Sequence, residues 1–265
     1  MRILIYVGPA PSRELVIHMS LPIVRQIATA ITLVAGGADR DALLDDALRR
    51  LDPPPSVEVT RRAVDGNAQT AILDATRNQL FDLVIFGRLH QPVGRLLPGT
   101  HSKAIIQRLE PSVLRVHGSA RPIRRILVAS GGDHHTFDDV RMAEKLATPF
   151  GASVTLLHVI SQQSILFEGF TQRRVSIESL QDIDTREVRT VREAAAQLTA
   201  HGVETQIKGR VGLVLHEIMA ELRVGGYDLL VIGAHRFASA LDRILFEDIA
   251  GDLLDVSPLP VLVVK

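Results

Sequence analysis

The sequence predicts an α/β protein: two tandem domains, each built on a parallel sheet. The first observation is an internal repeat. "ILIYVG" at Ile3–Gly8 returns as "ILVASG" at Ile126–Gly131, and "ITLV" at Ile31–Val34 as "VTLL" at Val154–Leu157, both offset by 123. "FDLVIFG" at Phe81–Gly87 returns as "YDLLVIG" at Tyr227–Gly233, offset by 146, and "VLRV" at Val113–Val116 as "VLVV" at Val261–Val264, offset by 148. The second observation is that short aliphatic runs alternate with helical patterns, as βαβ units do. The third is composition: 46% of residues are hydrophobic, only 8 Phe and 2 Tyr are aromatic, and Trp is absent. Aliphatic cores of this kind suit parallel sheets covered on both faces.

Taken in order, the first repeat reads as strands at 2–7, 30–35, 57–63, 82–87 and 112–117, with helices near 13–28, 39–51, 67–79 and 101–109. The second reads as strands at 125–130, 153–160, 203–208, 228–233 and 260–264, with helices near 137–149, 176–200, 211–224 and 247–255. The domains are expected at 1–118 and 122–265, joined by a short link from Gly118 to Pro122. The jump in offset from 123 to 146 marks an insertion in the second domain, about 161–175 plus a longer helix. The insertion reads either as a surface loop with an anchoring apolar patch or as a lid or partner-binding segment.

Thirty basic residues balance thirty acidic ones, so no global field would draw nucleic acid or an anionic membrane. There is no cysteine, hence no disulfide, thiol nucleophile or thiolate metal site, which fits a reducing cytosol. The opening "MRILIYVG" reads as a strand rather than a signal sequence, and no apolar run approaches the roughly 18 residues of a membrane span. A cytoplasmic protein without a membrane or nucleic-acid partner is expected.

Ligands of open α/β sheets bind beyond the carboxyl ends of the strands, where strand order reverses. If the first strand is central, the loops after strands one and four matter. Glycine closes both in each repeat: Gly8 and Gly131 after strand one, Gly87 and Gly233 after strand four. Such a glycine permits positive φ and close approach of backbone to a ligand; it equally suits a tight strand-to-helix turn with no ligand.

"GASVTLLHVI" at Gly151–Ile160, "YDLLVIGAH" from Tyr227 and "SPLPVLVVK" at the end resemble the universal stress protein family, and the resemblance extends, twice over, along nearly the whole chain. The second repeat carries it more closely; the first diverges in its first helix, with Pro9, Pro11 and Pro22. The resemblance implies doubly wound, five-stranded sheets of order 3-2-1-4-5, an adenine nucleotide alpha hydrolase-like architecture. It also implies pairing of the terminal strands, here Ser112–Val116 with Pro260–Val264 inside one chain, and a further homodimer. Members that bind ATP carry an Asp ending strand one, and Gly-x-x-Gly, nine residues, then Gly-Ser or Gly-Thr after strand four. Glycines let backbone N–H groups surround phosphates, and the final pair opens a helix whose free N–H groups favour anions.

Both repeats depart from that pattern. Gly8 and Gly131 stand at the Asp position. In the first repeat Gly87 matches the first glycine, His90 replaces the second, and Gly99–Thr100 match the final pair with a spacer one residue short. Arg88, Arg95 and His101 lie nearby in sequence. Gly8, Gly87, His90, Gly99 and Thr100 are therefore the candidate residues for an adenine nucleotide such as ATP, or another anion; the alternative is that Thr100 merely caps the helix at 101–109. In the second repeat Gly233 matches, Arg236 replaces the second glycine, and Glu247–Asp248 stand where the final pair would be. Those carboxylates suit a helix N-terminus and repel a triphosphate, so this repeat reads as degenerate.

"SGGDHH" at Ser130–His135 is similar to the Ser-Gly-Gly-x-Asp-Ser loop of ATP pyrophosphatases, but its spacing is one residue short and the final Ser is absent. It serves as a turn with Asp133 or Thr136 capping the next helix. His134 and His135 are adjacent, which suits solvation better than one metal ion, and no metal is expected. His158 is expected to pack and hydrogen-bond. No Gly-x-Ser-x-Gly occurs, and no coherent acid/base pair. The expectation is a non-catalytic stress-response or signalling protein with an unknown protein partner. The alternatives are a pure protein-interaction scaffold without nucleotide and, less favoured, a nucleotide hydrolase.

Overall fold

A computed structural model of the chain describes residues 1–77, 79–89, 100–118, 121–161, 185–234 and 249–265, without the side chains of 100–103 and 161. The chain divides into two compact units: residues 1–122 with 254–263 and 265, and residues 123–253 with 264.

In the first unit the strands are β1 (Arg2–Tyr6), β2 (Ala30–Gly36), β3 (Glu58–Val64), β4 (Leu83–Phe86) and β5 (Ser112–Arg115). Their spatial order is β3-β2-β1-β4-β5, all parallel. Four helices connect them: α1 (Ser12–Ile27), α2 (Arg40–Leu51), α3 (Ala68–Arg77) and α4 (Thr100–Arg108). Consecutive residues Ile3, Leu4 and Ile5 are all fully buried, which requires cover on both faces of the sheet. α1 supplies part of it through Val16, Met19 and Ile23, spaced to share one helical face. Helix α1 accommodates Pro22, which has no N–H to offer the carbonyl of His18.

A tenth strand of the chain, β10 (Val261–Val264), runs antiparallel to β5, with Arg115 opposite Val261, Leu114 opposite Leu262 and Val113 opposite Val263. Val261, Leu262 and Val263 are fully buried. The pairing covers what would otherwise be a short, apolar open edge.

The second unit has β6 (Arg125–Ser130), β7 (Ser153–Ser161), β8 (Thr205–Gly212) and β9 (Leu229–Gly233) in the order β8-β7-β6-β9, again parallel. Its helices are α5 (Thr136–Phe150), α6 (Arg186–Ala200) and α7 (Val214–Gly225); residues 249–256 are also helical. The Thr185 side chain caps α6 by accepting from Val188 N–H at 3.3 Å.

Three elements differ from expectation. The helix expected over 176–200 starts at Arg186, behind an extended Thr185, with 176–184 outside the described residues. The helix expected from 211 starts at Val214, because the strand before it is longer. The third strand of this unit runs to Gly212, not to 208, and pairs with β7 along its whole length. Its second half is rich in charge, and the charge is neutralised from α7. Lys208 Nζ donates to Glu221 at 2.7 Å, and Arg210 donates to Glu221 at 2.8 and 3.1 Å and to Glu217 at 3.1 Å. Tyr227 donates to the same Glu221 at 2.8 Å.

A repeated aspartate explains part of the repeated motif. Asp228 Oδ2 accepts from the backbone N–H groups of Arg124 and Arg125, each at 3.0 Å, while its own N–H donates to Arg125 O at 2.8 Å. Asp82 does the same at the start of β1: Oδ2 accepts from Arg2 N–H at 2.7 Å, and its N–H donates to Arg2 O at 2.9 Å. Each carboxylate locks the entry of the fourth strand to the entry of the first.

Candidate functional site

Strand order in the first unit reverses at β1, which lies between β2 and β4. The register of β1 on β4, with Ile3 opposite Leu83 and Ile5 opposite Ile85, brings the carboxyl ends of these two strands side by side. This is the position where an open α/β sheet offers a crevice. Gly8 follows β1 and is buried; Gly87 follows β4 and is buried; Arg88 beyond it is exposed. Thr100 is the first residue of α4. His90 and Gly99, like Arg95, lie outside the described residues, as do the side chains of Thr100 and His101 and the whole insertion from 162.

Of the glycines at the strand ends, Gly87 is required by close packing. None of Gly8, Gly87, Gly131 and Gly233 has positive φ. At Gly87 a Cβ would lie 2.0 Å from Ser12 Oγ and 2.9 Å from Val16 Cγ2, so the start of α1 can approach the end of β4 only if residue 87 has no side chain. At Gly8 a Cβ would meet, among the described residues, only the Tyr6 ring, at 3.3 Å. The connection from β1 to α1 contains Pro9 and Pro11, which have no N–H to give a phosphate.

The matching turn of the second unit is closed on itself. Ser130 Oγ accepts from Gly132 N–H at 3.0 Å and shares a hydrogen bond with Thr136 Oγ1 at 2.7 Å. Gly132 takes the left-handed conformation at φ +78°, and a Cβ there would lie 2.9 Å from the Glu187 Cα at the start of α6. Asp133 Oδ1 accepts from His135 N–H at 3.0 Å, so Asp133 stabilises the turn into α5 while Thr136 ties back to Ser130. His158 is buried, and its Nδ1 lies 3.1 Å from Ser130 O. Burial lowers its pKa and outweighs the carbonyl contact and the Glu187 charge, which favours the neutral ring. The His134 and His135 rings stack at 3.9 Å between centroids. Among the described residues no group of three His, Cys, Asp or Glu could hold a metal ion. No helix among them is long and apolar enough to cross a membrane.

A second basic group lies at the end of β5, and the sequence reading passes over it. The signal was present: Arg115 is the one charged residue of "VLRV", and its counterpart at offset 148 is Val263. The Nε and Nη1 atoms of Arg115 are buried and make no hydrogen bond among the described residues. Burial lowers the pKa of the guanidinium, the Asp255 charge opposes that shift, and the Arg88 charge adds to it. His117, two residues on, has Nε2 at 2.7 Å from Ser257 O and Nδ1 at 3.4 Å from Arg115 O. Burial first, then the Arg115 charge, lower its pKa as well.

The strand order defines the class: a doubly wound α/β protein. The profile of the universal stress protein family matches residues 122–265, more than half of the chain, and the chain belongs to that family. Two solved structures agree in fold along the whole chain. A universal stress protein from Archaeoglobus fulgidus DSM 4304 is 14% identical with a TM-score of 0.67, the match covering 100% of this chain and 98% of that one. A functionally unknown protein from Pseudomonas aeruginosa PAO1 is 19% identical with a TM-score of 0.69, covering 100% and 92%. No curated protein matches the sequence.

Proposed function

We propose that the chain is a non-catalytic stress-response or signalling protein whose first repeat binds an adenine nucleotide, or a comparable anion, weakly, and whose second repeat is a degenerate scaffold. The observation that carries this reading is an asymmetry at equivalent positions. In the first unit α4 begins at Thr100, directly after Gly99, the pair that the family resemblance assigns to phosphate, and this helix follows the strand next to β1. In the second repeat Glu247 and Asp248 stand at that place, and Ser130 already satisfies the Gly132 N–H in the turn after β6. Carboxylates at a helix start repel a phosphate chain; a Gly-Thr start does not.

In this reading Gly8, Gly87, His90, Gly99 and Thr100 form the nucleotide site, 1–118 and 122–265 are the functional halves, and the cytoplasmic chain assembles as a homodimer that signals to a protein partner. Gly87 is a poor position at which to test it, because any side chain there collides with α1. Gly99→Asp is the cleaner probe. It is expected to reduce ATP binding at least 10-fold, read by calorimetric titration, with unchanged circular dichroism. ATP binding that survives Gly99→Asp means that the site is elsewhere. Multiple-turnover ATP hydrolysis above a protein-free control would replace the non-catalytic reading with an enzymatic one.

A further inference from the structure

We infer that the carboxyl end of β5 carries a separate oxyanion site, in which the Arg115 guanidinium, supported by Arg88, receives a phosphate-type group. The inference uses neither Gly99 nor Thr100 and goes beyond the nucleotide reading.

The first ground is unmet hydrogen-bonding capacity. Arg115 ends β5, and its Nε and Nη1 are buried without a partner. A buried donor left unpaired is destabilising, more so when charged, so these two unpaired donors are a standing cost that an oxyanion would relieve. Among the described residues no carboxylate pairs with it directly. Asp255 is exposed and acts on Arg115 only through its field; it makes no ion pair with it among the described residues. The second ground is charge. Arg88 leaves the adjacent strand β4, is exposed, makes no ion pair or hydrogen bond among the described residues, and its charge is felt at Arg115. Two cations therefore face one carboxylate.

The third ground is that the surroundings are fixed. His117 is held to Ser257 O at 2.7 Å, and the space a Cβ would need at Gly118 is occupied by Pro258 O. The backbone that follows Arg115 thus packs closely against the segment that leads into β10, and a site on a fixed frame loses less entropy on binding. Arg115 as a residue is half-buried, so part of its side chain reaches solvent while Nε and Nη1 lie beneath the surface. A guanidinium offers planar donors that match phosphate oxygens, and a second arginine suits the double charge of a phosphate group. That group comes either as free phosphate or as the terminus of a nucleotide.

The test measures thermal stability of the full chain at low ionic strength with inorganic phosphate, pyrophosphate, ATP or adenosine, against chloride at matched ionic strength. It is repeated for Arg115→Met and Arg115→Lys, and ³¹P line broadening reports binding directly. Phosphate or pyrophosphate is expected to raise the wild-type midpoint by several degrees, less as salt is added. Arg115→Met is expected to match or exceed the wild-type midpoint without ligand, because it removes an unpaired buried charge, and to lose the phosphate response. Arg115→Lys is expected to bind at least 10-fold more weakly. If only ATP gives an Arg115-dependent response, the group is a nucleotide terminus; if the inorganic anions give it, the site takes free phosphate. The inference fails if no phosphate-bearing ligand outperforms chloride, or if Arg115→Met keeps the response. If Arg115→Met does not fold, Arg115→Lys decides: wild-type affinity overturns the inference and weakened affinity upholds it. Gly99→Asp separates this inference from the nucleotide reading, since it leaves an Arg115-dependent phosphate response intact.

Discussion

Asp82 and Asp228 stand at the same place in the two repeats and do the same work in different surroundings. Asp228 is 8% exposed and serves two backbone donors, whereas Asp82 is exposed and serves one. Hydrogen bonds to a charged group contribute more when water cannot replace them. Asp228→Ala is therefore expected to cost roughly 2–4 kcal/mol in a denaturant melt, and Asp82→Ala about 1 kcal/mol or less. Equal costs would mean that the two locks are not distinguished by burial. The glycines repay the same attention. Sequence marks Gly87 as special but cannot choose between ligand approach and helix approach; the Ser12 hydroxyl standing where a Cβ would go supplies the physical reason for packing.

At the scale of elements, the ion cluster between β8 and α7 is expected to contribute to the acid sensitivity of the second unit. Glu221 is 2% exposed, and burial alone would push its carboxyl up. The hydrogen bonds from Lys208, Arg210 and Tyr227 overcome that and hold it at about 2, below its ordinary 4.5. The folded state therefore binds this proton less readily than the unfolded state. The resulting stability is present above about pH 4.5 and is lost as pH falls towards about 2, roughly 3 kcal/mol in all. Glu221→Gln is expected to flatten the pH dependence of unfolding in that window and to lower stability at neutral pH. An acid limb that is unchanged in the variant would assign the acid sensitivity to other groups.

This cluster also shows what the sequence could convey. The central strands were legible because Ile3–Ile5 and Leu229–Ile232 are uninterrupted aliphatic runs, and the helix boundaries around Ser12, Arg40 and Thr136 fell within a residue or two of expectation. The second half of β8 was not legible. "KGRVG" has the charge of a loop, and the acids that let it enter a sheet, Glu217 and Glu221, lie on the following helix. The candidate site was legible in part. Its glycines and the start of α4 can be read from spacing, whereas the unpaired atoms of Arg115 depend on burial, which no local pattern encodes.

At the scale of the whole molecule, the parallel order β3-β2-β1-β4 of the first unit returns as β8-β7-β6-β9 in the second, and the proposal gives a nucleotide site to the first alone. The chain has no net formal charge, so the proposed anion binding rests on local groups such as Arg88, Arg115 and the start of α4 rather than on a global field. The asymmetry makes a stoichiometric prediction that a symmetric pair of sites would not. The most direct test is native mass spectrometry of the purified chain with and without added ATP, followed by denaturation and identification of any released nucleotide. The account predicts one adenine nucleotide per chain, lost in Gly99→Asp. Two per chain would contradict the degeneracy of the second repeat, and a nucleotide-free chain with no thermal shift on adding ATP would contradict nucleotide binding and leave a scaffold acting through protein contacts.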